Sequence, residues 1–177
     1  MITEKPVTRK LKEYTEICQL LKTAFPVHEQ LPIWVLKLLA VRRSVNFRAL
    51  YDEGQFCGIL YTFENEKYIF VLYLAVNDNI RSKGHGSRIL DWLKTHTEKI
   101  IVLNVESVDP SAHNDTQRLR RIEFYRSNGI YDTGARFMGT GVNYSVLASD
   151  VEHFKSKEYE KLLSDCSLGL YKKKLTE

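Results

Sequence analysis

Apolar and polar residues alternate along the chain in two rhythms, one of helical period and one of strand character, and these set the expected elements. Tyr14, Ile17, Cys18, Leu21 and Phe25 recur at helical spacing, and Pro26 ends that helix. Leu31 to Arg43 reads as a second helix, after a loop of mixed character from Phe25 to Pro32. Before both, Pro6 to Leu11 reads as a short edge strand. Asn46 to Tyr51 and Phe56 to Phe63 read as strands, separated by the turn signal Asp52-Glu53-Gly54. A second polar turn, Glu64 to Lys67, leads into Tyr68 to Val76, nine apolar residues without a charge. Such a run suits a strand covered on both faces. It breaks at Asn77-Asp78-Asn79, and a helix with Ile89, Leu90 and Leu93 on one face follows to about His96. Ile100 to Val105 is a second apolar run. Strand, helix and strand at these lengths make a βαβ unit, expected to be parallel and right-handed.

The last third continues the alternation. Asp115 to Ser127 reads as a helix closed by Asn128-Gly129, a left-handed cap. Two short strands are expected at Tyr131 to Met138 and Val142 to Ala148, with Gly139-Thr140-Gly141 between them. Asp150 is placed to cap a final helix through about Leu163. The pattern is α/β with a mixed sheet. With 177 residues and neither repeat nor linker, the chain reads as a single domain over residues 1–177.

Composition changes this picture little. A net charge of +4 spread from end to end argues against a nucleic-acid stripe, and suits either a polyanionic ligand or plain solubility. Cys18, Cys57 and Cys166 are far apart and odd in number, which argues against both a zinc site and a disulfide framework. The chain opens without a secretion signal, and its Leu31 to Val41 apolar run is too short for a bilayer. A cytoplasmic protein is expected.

The chemistry concentrates in Arg81-Ser82-Lys83-Gly84-His85-Gly86, after a buried strand and at the opening of a helix. Free amides at a helix start and the helix dipole favour an anion there, and glycines let a phosphate approach the backbone. Arg81, Lys83 and Arg88 add full charges nearby. The dinucleotide fingerprint fails, because Ile89 stands where its third glycine belongs, and no Walker string occurs.

This stretch, through Arg81, Gly84 and Gly86, resembles the pyrophosphate loop of the GCN5-related N-acetyltransferase (GNAT) superfamily, and more closely its small bacterial-type members. Arg121-Ile-Glu-Phe-Tyr-Arg-Ser-Asn-Gly-Ile130 resembles a second family segment, in which a helix bearing Phe-Tyr ends in a turn and feeds a strand. The resemblance covers roughly residues 46 to 148. It implies the GNAT fold, a mixed central sheet of about six to seven strands flanked by helices, with splayed parallel central strands. It implies acetyl-CoA as co-substrate, no metal, and an amine as acceptor, and it leaves a homodimer open. Nucleic acid and membrane are not expected partners.

By the same resemblance, acetyl-CoA lies between strands 68–76 and 100–105, with its pyrophosphate on Arg81, Ser82, Lys83, Gly84, His85, Gly86 and Ser87. Amides near Leu74, Ala75 and Val76 would hold the pantetheine arm and polarise the thioester carbonyl. Tyr125 maps onto the family's proton donor, and also reads as a core aromatic beside Leu119 and Ile122. The family's strand glutamate is missing from Tyr68-Ile-Phe-Val71. Glu106 instead resembles the strand-end glutamate of the N-terminal acetyltransferases, and equally reads as an ordinary solvated carboxylate. His85 reads as a tolerated loop residue and His113 as part of a polar surface insertion. Acceptors are expected at residues 25 to 32 and 138 to 143, which offer His28, Glu29, Met138 and Asn143. A non-catalytic acyl-CoA-binding or sensing module stays open as the alternative, and charge alone keeps a nucleic-acid binder as a third.

Overall fold

The computed structural model describes residues 1–77, 84–112, 114–139, 141–166 and 175–176. Among the described residues seven strands and five α-helices follow one another as β1 (Ile2–Pro6), α1 (Tyr14–Ala24), α2 (Ile33–Leu39), β2 (Val45–Asp52), β3 (Gln55–Glu64), β4 (Tyr68–Val76), α3 (His85–Thr95), β5 (Ile100–Glu106), α4 (Asp115–Ser127), β6 (Tyr131–Gly139), β7 (Val142–Ala148) and α5 (Ser156–Cys166), with a short 3-10 turn at Val27–Glu29. The strands form a sheet in the order β1-β2-β3-β4-β5-β7-β6. The α/β class and the mixed sheet expected from sequence are both present. The chain divides into two compact units.

The first unit holds residues 1–63 and 71–98. Its strands β1, β2 and β3 run antiparallel, with Leu50 opposite Gly58 and Asp52 opposite Gln55. Asp52-Glu53-Gly54-Gln55 is a tight hairpin, with positive φ at both Glu53 (50°) and Gly54 (81°), the primed geometry that matches strand twist. Ile17 of α1, Leu36 of α2, Leu50, Ile59 and Tyr61 of the strands, and Ile89 of α3 form its buried core.

The second unit holds residues 64–70 and 99–177. Its β5, β7 and β6 are antiparallel neighbours, with Glu106 opposite Tyr144. Tyr68, Ile101, Leu103, Ile130, Val146 and Tyr159 are almost fully buried in it. The buried Tyr159 donates its hydroxyl to Asn104 at 2.9 Å, which satisfies the one polar atom of that ring.

Several boundaries differ from expectation for local reasons. The edge strand is Ile2–Pro6, not Pro6 to Leu11, because Ile2 and Val7 are the apolar residues that bury while Thr3, Glu4 and Lys5 stay in solvent. Helix α2 starts after Pro32 and stops at Leu39, burying only Leu36. Asp150 does not cap α5, which begins six residues later at Ser156; its carboxylate instead accepts from the His153 amide at 3.1 Å. The C-terminal half of β4 is not covered on both faces, since Leu72, Leu74 and Val76 are half-exposed and Tyr73 and Ala75 are buried. No helix among the described residues is long and apolar enough to cross a membrane.

Candidate active site

In the first unit, those expected cofactor residues that the structure describes stand at the end of β4 and at the start of α3. Arg81, Ser82 and Lys83 lie outside the described residues, as does His113. Gly84 is the N-cap of α3 and takes the left-handed conformation, φ +71°. Among the described residues, a Cβ built on it would meet no atom within 4 Å. Among the described residues no side chain caps this helix, and its first turn holds no acidic residue. A helix start of this kind, with first-turn amides lacking intrahelical partners and no acidic residue in the turn, favours an anion.

Sequence reasoning gave Asn77 no role and missed the side-chain role of His85. Asn77, just past β4, is buried; its amide donates to the Cys57 carbonyl at 2.9 Å and its side chain to Glu16 at 2.7 Å. His85, expected as a tolerated loop residue, is instead the first residue of α3. Its ring is buried, 3.1 Å from the Asp52 carboxylate, which leaves only its backbone for a ligand. Arg88, expected to add charge for the anion, has its guanidinium 2.7 Å from the same carboxylate. Burial alone would raise the Asp52 pKa, but the hydrogen bond from the Met1 amine and the charges of Arg88 and His85 outweigh it and hold the group below the usual carboxylate range. No sequence signal points to Asp52, because its partners come from distant elements.

The loop of residues 25–32 is braced within the same unit. The Tyr73 hydroxyl donates to the Glu29 carbonyl and accepts from the Leu31 amide at 3.0 Å, and Phe25 lies against its ring. Gln30 donates to the carbonyls of Lys22 and Phe25. The surface around this brace is apolar, with Val27, Leu31, Trp34 and Leu38 all exposed.

In the second unit lie the two expected catalytic residues. Glu106 is not an ordinary solvated carboxylate: it is 3% exposed at the end of β5. Its Oε2 accepts from Asn114 at 3.1 Å and lies 2.8 Å from Arg118 Nε. That last contact is an ion pair without hydrogen-bond alignment, since the Nε proton points elsewhere. Arg118 also donates to the Ser107 carbonyl, so Glu106 ties the start of α4 to the end of β5. Tyr125 sits in the last part of α4, a helix with no fully buried residue. Among the described residues none hydrogen-bonds its hydroxyl. Desolvation pushes its pKa up to about 12, opposed by the Arg121 guanidinium, so the phenol stays protonated at neutral pH. Helix α4 closes at Asn128, with Gly129 left-handed at φ 69°, as the sequence signals.

No protein-family model matches the chain. The Bacillus subtilis (strain 168) protein named "Putative acetyltransferase YjbC" is 34% identical over 102 residues, 58% of this chain and 50% of that protein. The chain thus spans about half the length of the curated relative it matches. Among solved structures, a GNAT-family protein from Bacteroides thetaiotaomicron superposes with a TM-score of 0.76 at 20% identity, over 96% of this chain and 99% of that one. A GNAT-family acetyltransferase from Elizabethkingia anophelis, solved with acetyl-CoA bound, gives 0.57 at 11% identity over 83% and 96%. Shared over nearly the whole chain, this element order assigns the architecture: the chain has the fold of the GCN5-related N-acetyltransferases.

Proposed function

We propose that the protein is an acetyl-CoA-dependent N-acetyltransferase that acetylates an amine by direct attack on the thioester. The observation that carries this reading is the start of α3, which has no acidic residue in its own first turn and, among the described residues, no side-chain cap and no atom within 4 Å of a Cβ placed on the left-handed Gly84. A diphosphate fits such a start, because the first-turn amides and the helix dipole both favour negative charge. Gly84, His85, Gly86 and Ser87 would bind it through their backbone, together with Arg81, Ser82 and Lys83. The half-exposed Leu74 and Val76 suit the pantetheine arm, whose apolar stretches they would cover while the amides of residues 74–76 orient the thioester. A cytoplasmic setting goes with this co-substrate.

The chemistry assigned to the chain has two proton movements. An alkylamine with a pKa of about 10.4 must lose a proton before its nitrogen can bond to the acetyl carbon. Glu106 is the carboxylate we assign to receive it. As the carbon–sulfur bond breaks, the thiolate takes a proton, and we assign Tyr125 as its source. A phenol held protonated, without a hydrogen-bond partner among the described residues, supports that role. The acceptor is a peptide or small mono-amine: Val27, Leu31 and Trp34 offer apolar surface near the 25–32 loop, with Glu29 as its one acid.

One observation favours the second reading, an acyl-CoA sensing module. Arg118 already occupies Glu106, so an incoming amine must compete with a guanidinium for the carboxylate. Calorimetric titration with acetyl-CoA tests the binding reading. Thiol release across a panel of peptides and mono-amines separates enzyme from sensor: saturable binding with no turnover on any amine would leave the sensor.

A further inference from the structure

We propose that Asp52 is a positioning residue for the cofactor loop, fixing the first turn of α3 through His85 so that its amides are pre-set for the pyrophosphate. The inference rests on the cofactor site assigned above and names a residue outside it.

The geometry is specific. The Asp52 side chain is 5% exposed, and its Oδ2 lies 3.1 Å from His85 Nδ1 and 2.7 Å from an Arg88 terminal nitrogen. Its Oδ1 lies 3.2 Å from the Met1 amine. The Arg88 nitrogen and His85 Nδ1 are also 2.9 Å apart. A carboxylate this removed from water is costly unless cations and donors surround it, and here both oxygens are served. His85 and Arg88 stand at i and i+3, on one face of the helix. That face is turned to the hairpin.

Asp52 is itself rigidly based. It is the last residue of β2, paired with Ile2 on one side and Gln55 on the other, and it opens the tight turn through Glu53 and Gly54. His85, by contrast, stands between two glycines, Gly84 and Gly86. Glycines give the phosphate access but leave the backbone with more conformations to lose. A buried side-chain anchor between them removes that freedom before the ligand arrives, which lowers the cost of binding. The tether thus offsets the drawback of the glycines that the site requires.

The test is a double-mutant cycle on acetyl-CoA affinity, with Asp52→Asn, His85→Ala and the double variant. Asp52→Asn is expected to raise the Kd about tenfold, with kcat at saturating acetyl-CoA within about twofold of wild type. The double variant is expected to bind no more weakly than the weaker single variant, because both changes cut one tether. His85→Ala leaves Asp52 its other cationic partners, so it keeps the test open if Asp52→Asn does not fold. A folded Asp52→Asn or His85→Ala with wild-type affinity overturns the proposal, and so do losses that multiply in the double variant. Should the wild type not bind acetyl-CoA, the site reading itself fails. The tether is then judged by amide hydrogen exchange in His85→Ala: faster exchange confined to the first turn of α3 upholds it, and unaltered exchange overturns it.

Discussion

Gly58 lies so close to Ala75 that a Cβ on it would fall on the Ala75 carbonyl oxygen, and within 3.3 Å of the Val76 Cα. The end of β4 and the middle of β3 therefore meet backbone to backbone, at the stretch assigned to the pantetheine arm. Gly58→Ala must push β4 away, and backbone cannot rotate aside as a side chain can. The expected cost is roughly 1–3 kcal/mol, the range for overpacking. At about 2–4 °C per kcal/mol for a chain of this size, that lowers the Tm by roughly 2–12 °C. Calorimetry checks the Tm, and an acetyl-CoA titration of the folded variant should show weaker binding, since the moved segment carries Leu74 to Val76. An unchanged Tm would mean the two strands separate freely.

The two loop glycines should respond differently. Gly84 has a positive φ, so any side chain there is strained by about 1–2 kcal/mol whatever the space around it. Gly86 lies within α3 and has no positive φ. Gly86→Val is therefore the cleaner probe, expected to raise the acetyl-CoA Kd at least tenfold, or about 1.4 kcal/mol, by blocking the pyrophosphate. Gly84→Val should show the same loss of affinity together with a lower Tm. Wild-type affinity in a folded Gly86→Val would remove this turn from the cofactor site.

Where the sequence carries a long uninterrupted pattern, the elements match to the residue: β4 at Tyr68–Val76, α4 at Asp115–Ser127, β7 at Val142–Ala148. The glycine pair and the Phe124-Tyr125 helix were legible for the same reason, as local strings. Interactions between distant elements were not. Nothing near Asp52 announces that its carboxylate meets His85, because that contact depends on how a hairpin and a helix pack. The Glu106–Arg118 pair shows the same limit: a strand-end glutamate reads as solvated until the next helix covers it.

Tyr125 offers a pH signature. Tyr125→Phe keeps the ring and removes the hydroxyl, so kcat should fall roughly 10²-fold with little change in acetyl-CoA affinity. An ordinary tyrosine would start to lose its proton near pH 10. With its pKa raised to about 12 by desolvation, the donor should stay loaded, and kcat should hold to about pH 11 where the protein stays folded. A kcat falling with an apparent pKa near 10, absent in the Phe variant, would contradict the assignment of Tyr125 as a donor held protonated.

Acid should act on stability through Asp52 and Glu13. Burial raises the Glu13 pKa, but a backbone hydrogen bond, the Tyr51 hydroxyl at 3.1 Å and Lys12 together bring it below normal. Both groups are thus depressed in the folded state, relative to unfolded values of about 3.9 and 4.3. A depressed pKa contributes stability that is complete above the unfolded value and lost as pH falls through the folded one. The Tm should therefore be insensitive to these groups above about pH 5 and fall below about pH 4. Asp109, Asp150 and Glu158 shift the same way. Asp52→Asn with Glu13→Gln should lower the Tm at pH 7 and flatten the drop between pH 4 and 2.5, measured by thermal melts across that range.

Glu106 carries the sharpest alternative, because its burial and its partners support two different roles. As a base it must accept a proton from the amine, which means loosening its 2.8 Å contact with Arg118. As an anchor it holds Asn114 and Arg118, and through them the start of α4, the helix that bears Tyr125. Glu106→Gln keeps size and can still accept from Asn114, but loses both basicity and charge. A base predicts a kcat reduced by 10²–10⁴-fold at neutral pH, partly recovered as pH rises and more amine is free. An anchor predicts a lower Tm and a defect that does not recover with pH. Arg118→Met separates them further, since it removes the guanidinium from the carboxylate while cutting that arm of the anchor. If Glu106 is the base, that variant keeps measurable turnover and the acidic limb of its kcat/KM profile moves, because the limb reports the essential base of the free enzyme. If Glu106 only anchors, Arg118→Met and Glu106→Gln lose activity alike, with neither profile shifted. That outcome would take Glu106 out of the proton path and leave water or the amine substrate to carry it.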